Sequence, residues 1–282
     1  LTTNEKRWNN EGGGGWKRVP PWNQLAVPNT ISGCRGRNKL EPSRLLDGGI
    51  MQAYTHSAAS TADSQTGVVA SINLTNQSDF SNGNILVAYI AFTGGTGVTV
   101  TPPAGWTLRL RQDNGTGVGI AIYTKTAASE GASWRFDFSP TSSCVVSYGI
   151  IANGNATDPF SSISGLTNAS GTSHSFPEYY FGSYASIAIL ATVLSDNVTT
   201  TPPTDYTEAV DHGEAVAPKC ALTVETRVHN KNSGAMAQQT AVSSGAAVSA
   251  AIAAVVEGNL GIIERFISLS APDAVTIHVR VQ

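Results

Sequence analysis

Charge is scarce in this sequence. Only 13% of its 282 residues are Asp, Glu, Lys or Arg, about half the usual share. Helix-favouring Glu, Lys, Leu and Arg are in short supply, which argues against long helices. Cysteine is nearly missing. Cys34, Cys144 and Cys220 are odd in number and far apart, so they form neither a disulfide framework nor a zinc spacing. Buried free thiols are expected instead. No apolar run approaches the ~20 residues that a membrane-spanning helix needs. The stretch Val242–Val256 is apolar but short and rich in Ala and Ser, which suits a buried strand. No signal-peptide pattern is read at the start, which begins with Leu1.

What is present is a strand-and-turn vocabulary. Hydrophobic residues make up 41% of the chain, enough for a substantial core. Thr and Val suit pleated, half-buried surfaces, while Gly and Asn supply turns. The expected class is all-β: an antiparallel β-sandwich, jelly-roll-like, preceded by an extended arm.

Charge is also unevenly placed. Residues 1–49 carry eight Lys and Arg against four Asp and Glu, a net +4, and the remainder carries nine against sixteen, a net −7. The sum of −3 gives no general nucleic-acid bias. The basic leader has no sustained period of 2 or 3.6. It holds Gly12–Gly15, the Pro20-Pro21 pair and three tryptophans, Trp8, Trp16 and Trp22. Disordered tails are poor in aromatics. The leader therefore reads as an arm whose Trp8, Trp16, Trp22, Lys17, Arg18, Arg35 and Arg37 anchor it to a partner.

From about Thr66 onward the sequence reads as strands of five to nine residues. Candidates are 67–74, 84–92, 97–101, 106–111, 117–126, 133–138 and 145–152, separated by turn clusters such as Ser81-Asn82-Gly83-Asn84. Trp134-Arg135-Phe136-Asp137-Phe138 alternates strictly, so one face is buried and the other wet. An internal repeat organises these strands. At an offset of 100, Ala88, Ala91, Val98, Thr99, Thr101, Pro102, Pro103 and Thr107 meet identical residues, and Trp106 meets Tyr206. At an offset of 102, Ile120, Thr124 and Lys125 meet Leu222, Thr226 and Arg227, while Val146, Ser147 and Ile150 meet Val248, Ser249 and Ile252. In each copy a short strand stops at Pro-Pro, which cannot continue a ladder. An aromatic then folds back over the sheet edge. Pro102, Pro103 and Trp106, with Pro202, Pro203 and Tyr206, are read as fold-defining corners.

The expected organisation is an arm over 1–49, a linker over 50–65, a duplicated sandwich over 66–258 with halves at about 66–160 and 172–258, and a C-terminal β extension over 259–282. The two halves either pair into one large sandwich or form two similar ones, and the first fits better, because neither has enough large apolar residues to close a core alone.

The segment Thr101-Pro102-Pro103-Ala104-Gly105-Trp106-Thr107 resembles the signature of a family of β-sandwich modules in phage virion proteins and some secreted bacterial proteins. The resemblance extends, in order, to an apolar strand like Ile85–Phe92, a strand like Ile120–Thr126, an Ala-Ser-Glu-Gly turn at 128–131, a Thr-Asp-Pro loop at 157–159 and a degenerate second Pro-Pro-x-x-Tyr-Thr. It covers about residues 66–258. It implies a structural or adhesive role on the exterior of a phage particle and supplies no catalytic residues.

Chemistry-bearing motifs are few. His56, His174, His212, His229 and His278 have no zinc-type spacing. Asp211-His212-Gly213-Glu214 falls in an expected turn, and Gly115-Thr116-Gly117-Val118-Gly119 reads as a hairpin rather than a phosphate loop. No metal, no cofactor and no enzymatic activity are expected. The expected function is a virion structural protein, a capsid decoration protein or a tail or fibre component. It would be assembled in the host cytoplasm with other virion proteins as a homo-oligomer and anchored by the arm. The alternative is a carbohydrate-binding adhesin module that meets a host-surface glycan. A glycan-cleaving enzyme is the third reading, and so few acids fall in strands that it has little to draw on.

Overall fold

The computed structural model describes residues 8–9, 17–18, 53–56, 68–152, 154–182, 186–215, 217–229 and 233–257. Two units divide the chain, Leu1–Leu45 and Leu46–Gln282. In the first, β1 (Trp8–Asn9) and β2 (Lys17–Arg18) pair antiparallel, Trp8 opposite Arg18 and Asn9 opposite Lys17. This part of the arm therefore pairs with itself rather than running singly extended.

The described residues of the second unit are nearly all β and antiparallel. Eight strands come first: β3 (Ala53–His56), β4 (Val69–Thr75), β5 (Ile85–Thr93), β6 (Thr99–Thr101), β7 (Thr107–Asn114), β8 (Val118–Thr126), β9 (Ser133–Ser142) and β10 (Cys144–Ala152). Eight more follow: β11 (Ser162–Ser175), β12 (Tyr179–Phe181), β13 (Ser186–Leu194), β14 (Thr200–Thr201), β15 (Thr207–Gly213), β16 (Ala221–His229), β17 (Gly234–Met236) and β18 (Thr240–Val256). One central sheet has the order β3-β10-β5-β8-β7, and the other has β11-β18-β13-β16-β15. Position by position the two orders are the same. Smaller sheets, β4-β9-β6 and β12-β17, cover the outer faces, while β14 pairs with β18.

The cores show four stacked layers. Val87, Tyr89, Ile120 and Ile122 of the first central sheet meet Ile189, Val193, Leu222 and Ile252 of the second. On its other face the first central sheet packs Leu86, Ile90, Tyr123 and Tyr148 against Trp134, Phe136 and Phe138 of β9. A smaller cluster joins the second central sheet to Tyr179 and Phe181 of β12. Strands buried on both faces carry unbroken apolar runs. This is why Ile85–Thr93 and Ser186–Leu194 lack alternation, whereas β9 at the periphery alternates. Of the two arrangements expected, one large sandwich or two similar ones, the packing is nearer the second: each half has a core of its own, and the halves share another between their central sheets.

Two further expectations change. The 50–65 stretch is not all linker, because Ala53–His56 pairs with Gly149–Ala152 at the sheet edge. The gap between the halves contains β11, which holds the corresponding edge of the second sheet. Both segments are rich in small polar residues, so neither shows the apolar pattern of a core strand.

Candidate functional site

The two Pro-Pro corners have matching geometry. Strands β6 and β14 end at Thr101 and Thr201, just before the prolines. The Trp106 N–H donates to the Pro103 carbonyl at 3.4 Å, and the Tyr206 N–H to the Pro203 carbonyl at 3.1 Å. Gly105 and Asp205, at equivalent points, both adopt left-handed backbone, with φ of 87° and 70°. Beyond each corner a β-bulge follows, between Leu108 and Leu110 in β7 and between Glu208 and Val210 in β15.

What the corner aromatics meet differs. Trp106 is 7% exposed and packs edge-on against Trp134 and Phe136, with ring centroids 5.6 and 5.7 Å away. Tyr206 is 9% exposed, and its hydroxyl is hydrogen-bonded to that of Tyr179. The Tyr179 hydroxyl in turn lies 2.8 Å from His229 Nε2, and the His229 ring stacks on Phe181 at 4.2 Å. Burial, reinforced by Tyr179, pushes the Tyr206 phenol well above its ordinary range.

Register alignment extends this contrast. Leu108 faces Tyr123 and Arg111 faces Ala121 in the first sheet, where Glu208 faces Glu225 and Asp211 faces Thr223 in the second. Across the next pairing, Ile90 opposite Ala121 is replaced by Thr192 opposite Thr223. A face that carries Ile90, Ala121 and Tyr123 in one half thus carries Thr192, Thr223 and Glu225 in the other. Glu225 is fully buried, and neither carboxyl oxygen has a hydrogen-bond partner. The hydroxyls of Thr192, Thr200 and Thr223 are also buried without partners. Desolvation, with Glu208 and Asp211 nearby, raises the Glu225 carboxyl to about 8.

Beside this patch lies a satisfied polar network. Asn168 Nδ2 donates to Ser249 Oγ at 3.0 Å, and Ser249 Oγ meets His174 Nδ1 at 3.0 Å. On the other side of the ring, His174 Nε2 meets Ser243 Oγ at 2.8 Å, and that hydroxyl donates to the Gly245 carbonyl at 2.6 Å. With its proton committed to Gly245, Ser243 accepts from Nε2–H, so Nδ1 accepts from Ser249. His174 is wholly buried, and desolvation lowers its pKa. This arrangement ties β11 to β18 and offers no exposed nucleophile.

Of the arm residues, Trp8, Lys17 and Arg18 lie on the β1–β2 pair, while Trp16, Trp22, Arg35 and Arg37 fall outside the described residues. Cys144 and Cys220 are buried free thiols, and burial raises Cys144 to about 12. Asp211 and His212 belong to strand β15, not to a turn. Gly115-Thr116-Gly117 does join the β7–β8 hairpin.

Two parts of the repeat alignment need correction. Cross-strand partners align β5 with β13 at an offset of 102, so Ala88 matches Leu190 rather than Ala188. The same reasoning sets β10 against β18 at 105. Val146 and Ile150 face the outer core while Val248 and Ile252 face the shared one, so the 102 pairing there fails. Identities among Ala, Val and Ile arise easily in apolar strands and do not fix register.

Sequence reading missed Glu225 and His174. Leu222, Val224 and their alternates Thr223, Glu225 and Arg227 follow a period of 2, which assigns Glu225 to a wet face. That it is fully buried instead is a matter of tertiary packing, which that period does not reveal. Comparison with family models, with curated proteins and with solved structures finds no match.

Proposed function

We propose that this chain is a structural protein on the exterior of a bacteriophage particle, a capsid decoration protein or a tail or fibre component, held there by its N-terminal arm. The observation that carries this reading is the pair of Pro-Pro corners. The segment 101–107 that resembles the virion module signature folds as a corner, and a second corner of the same geometry stands at 201–207. A stack of four sheets with a core between each successive pair suits a rigid scaffold. The basic segment belongs to a separate unit from that stack, as an anchoring arm would. Ordering such an arm costs about 1–2 kcal/mol per residue, which a large partner surface with buried aromatics offsets. On this reading the protein performs no catalysis and works as one of many copies among other virion proteins.

Deletion of residues 1–49 tests the proposal. The truncated chain should fold but fail to join particles, as seen by reconstruction of particles assembled with it. Assembly at full occupancy would overturn the anchoring role.

A carbohydrate-binding adhesin is the second reading, favoured by Tyr180, which is 63% exposed on strand β12. Exposed aromatic faces stack on sugars. Glycan-array binding lost in Tyr180→Ala would favour it over the first.

A further inference from the structure

We propose that the outer face of the second central sheet holds a hard, oxygen-preferring divalent cation of the calcium class, bound by Glu225 with the hydroxyls of Thr192, Thr200 and Thr223. Three independent observations converge there.

Burial comes first. Glu225 is fully enclosed, and both of its carboxyl oxygens lack a hydrogen-bond partner. The hydroxyls of Thr192, Thr200 and Thr223 are buried and unpartnered too. Native proteins pair nearly all such atoms, so a concentration of orphans on one face calls for a ligand.

Placement comes second. Thr192 lies directly opposite Thr223, and Thr223 opposite Asp211. Glu225 is two residues along β16 on the same face, opposite Glu208. Thr200 is tied to the group because its N–H donates to Asp211 Oδ2 at 2.9 Å. All donors left free are oxygens, which select calcium-like over thiophilic metals.

Charge comes third. Glu225, Glu208 and Asp211 cluster, while the neighbouring cation Arg227 is engaged with Asp205 at 3.1 Å and lies over the Tyr206 ring. Glu208 is exposed and Asp211 half-buried on the edge strand β15, so the two further carboxylates lie on the solvent side of Glu225 and add negative charge there. Among the described residues no three His, Cys, Asp or Glu side chains form a preformed metal centre. The threonine hydroxyls and solvent would therefore complete the shell, and the affinity would be modest. His and Cys spacing, which points away from metal in this chain, does not report on oxygen sites.

The full chain, freed of metal with EGTA, should gain thermal stability on adding Ca²⁺. Native mass spectrometry should count one Ca²⁺ per chain, and Tb³⁺ should show luminescence sensitised by the nearby tyrosines. The near-isosteric Glu225→Gln and the hydroxyl-deleting Thr223→Val should each abolish the stabilisation and the Tb³⁺ signal while keeping the β circular dichroism. An absence of bound Ca²⁺ in the wild-type chain would overturn the proposal. So would stabilisation that persists unchanged in both variants, since it would place the ion elsewhere.

Discussion

Tyr123 on β8 and Glu225 on β16 occupy equivalent places, each opposite the residue that precedes a β-bulge, Leu108 or Glu208. Tyr123 reaches across its core, its hydroxyl 3.4 Å from the Val100 carbonyl. The Glu225 carboxyl oxygens, in contrast, have no hydrogen-bond partner. One backbone frame thus supports an aromatic core in one half and an acidic interior in the other.

Glu225 makes the metal-free protein less stable as pH rises. The native state keeps a proton up to about 8, while the unfolded state releases it near the ordinary glutamate value of 4.5. The unfolded state therefore binds fewer protons across that window, and stability falls with pH. The expected loss in EGTA is roughly 2–5 kcal/mol between pH 4 and pH 9. Urea melts of Glu225→Gln should lack this loss and match wild type at pH 4.

His174 acts in the opposite sense. Its pKa is lowered by burial, so the native state resists protonation. Stability is complete above the unfolded value of about 6.5 and falls as pH drops below it. Protonating Nδ1 would also confront it with a serine hydroxyl whose proton points toward the ring. Wild type should lose more stability than His174→Gln between pH 7 and pH 5, as measured by chemical denaturation.

Trp106→Ala should cost roughly 3–5 kcal/mol, as for other large buried aromatics. It removes two edge-on ring contacts, to Trp134 and Phe136. Trp106→Phe should cost much less, because the indole Nε1 has no hydrogen-bond partner to lose. Equal destabilisation of the two variants in thermal melts would contradict this.

At the corners, Gly105→Ala should destabilise by about 1–2 kcal/mol, since φ of 87° is unfavourable for any side chain. The added Cβ would also approach Lys125 Cε to 3.1 Å. Asp205→Gly relieves the same strain at φ of 70° and loses only an ion pair to Arg227 whose carboxylate side is largely exposed. Denaturant midpoints should therefore move in opposite directions for the two substitutions.

Much of the architecture was legible in the residues themselves. Apolar runs bounded by Gly, Asn and Pro located most strands of the first half within a residue or two, because turn chemistry is local. Pro102-Pro103 and Pro202-Pro203 ended their strands, because proline lacks the N–H that a ladder needs. The alternation from Trp134 to Phe138 correctly assigned a buried and a wet face.

Only the tertiary structure decided the rest. The unbroken run Ile85–Phe92 is compatible with either one large sandwich or four layers, and it was the stacking of the central sheets that chose. Strands β3 and β11 are edges whose residues carry little pattern, so their place depends on partners far away in sequence. Register between the halves could not be read from matching Ala and Ile, since hydrogen-bond pairing fixes it. The polar interior around Glu225 is the sharpest case. A period of 2 says which residues share a face, but whether that face meets water depends on which distant segment covers it.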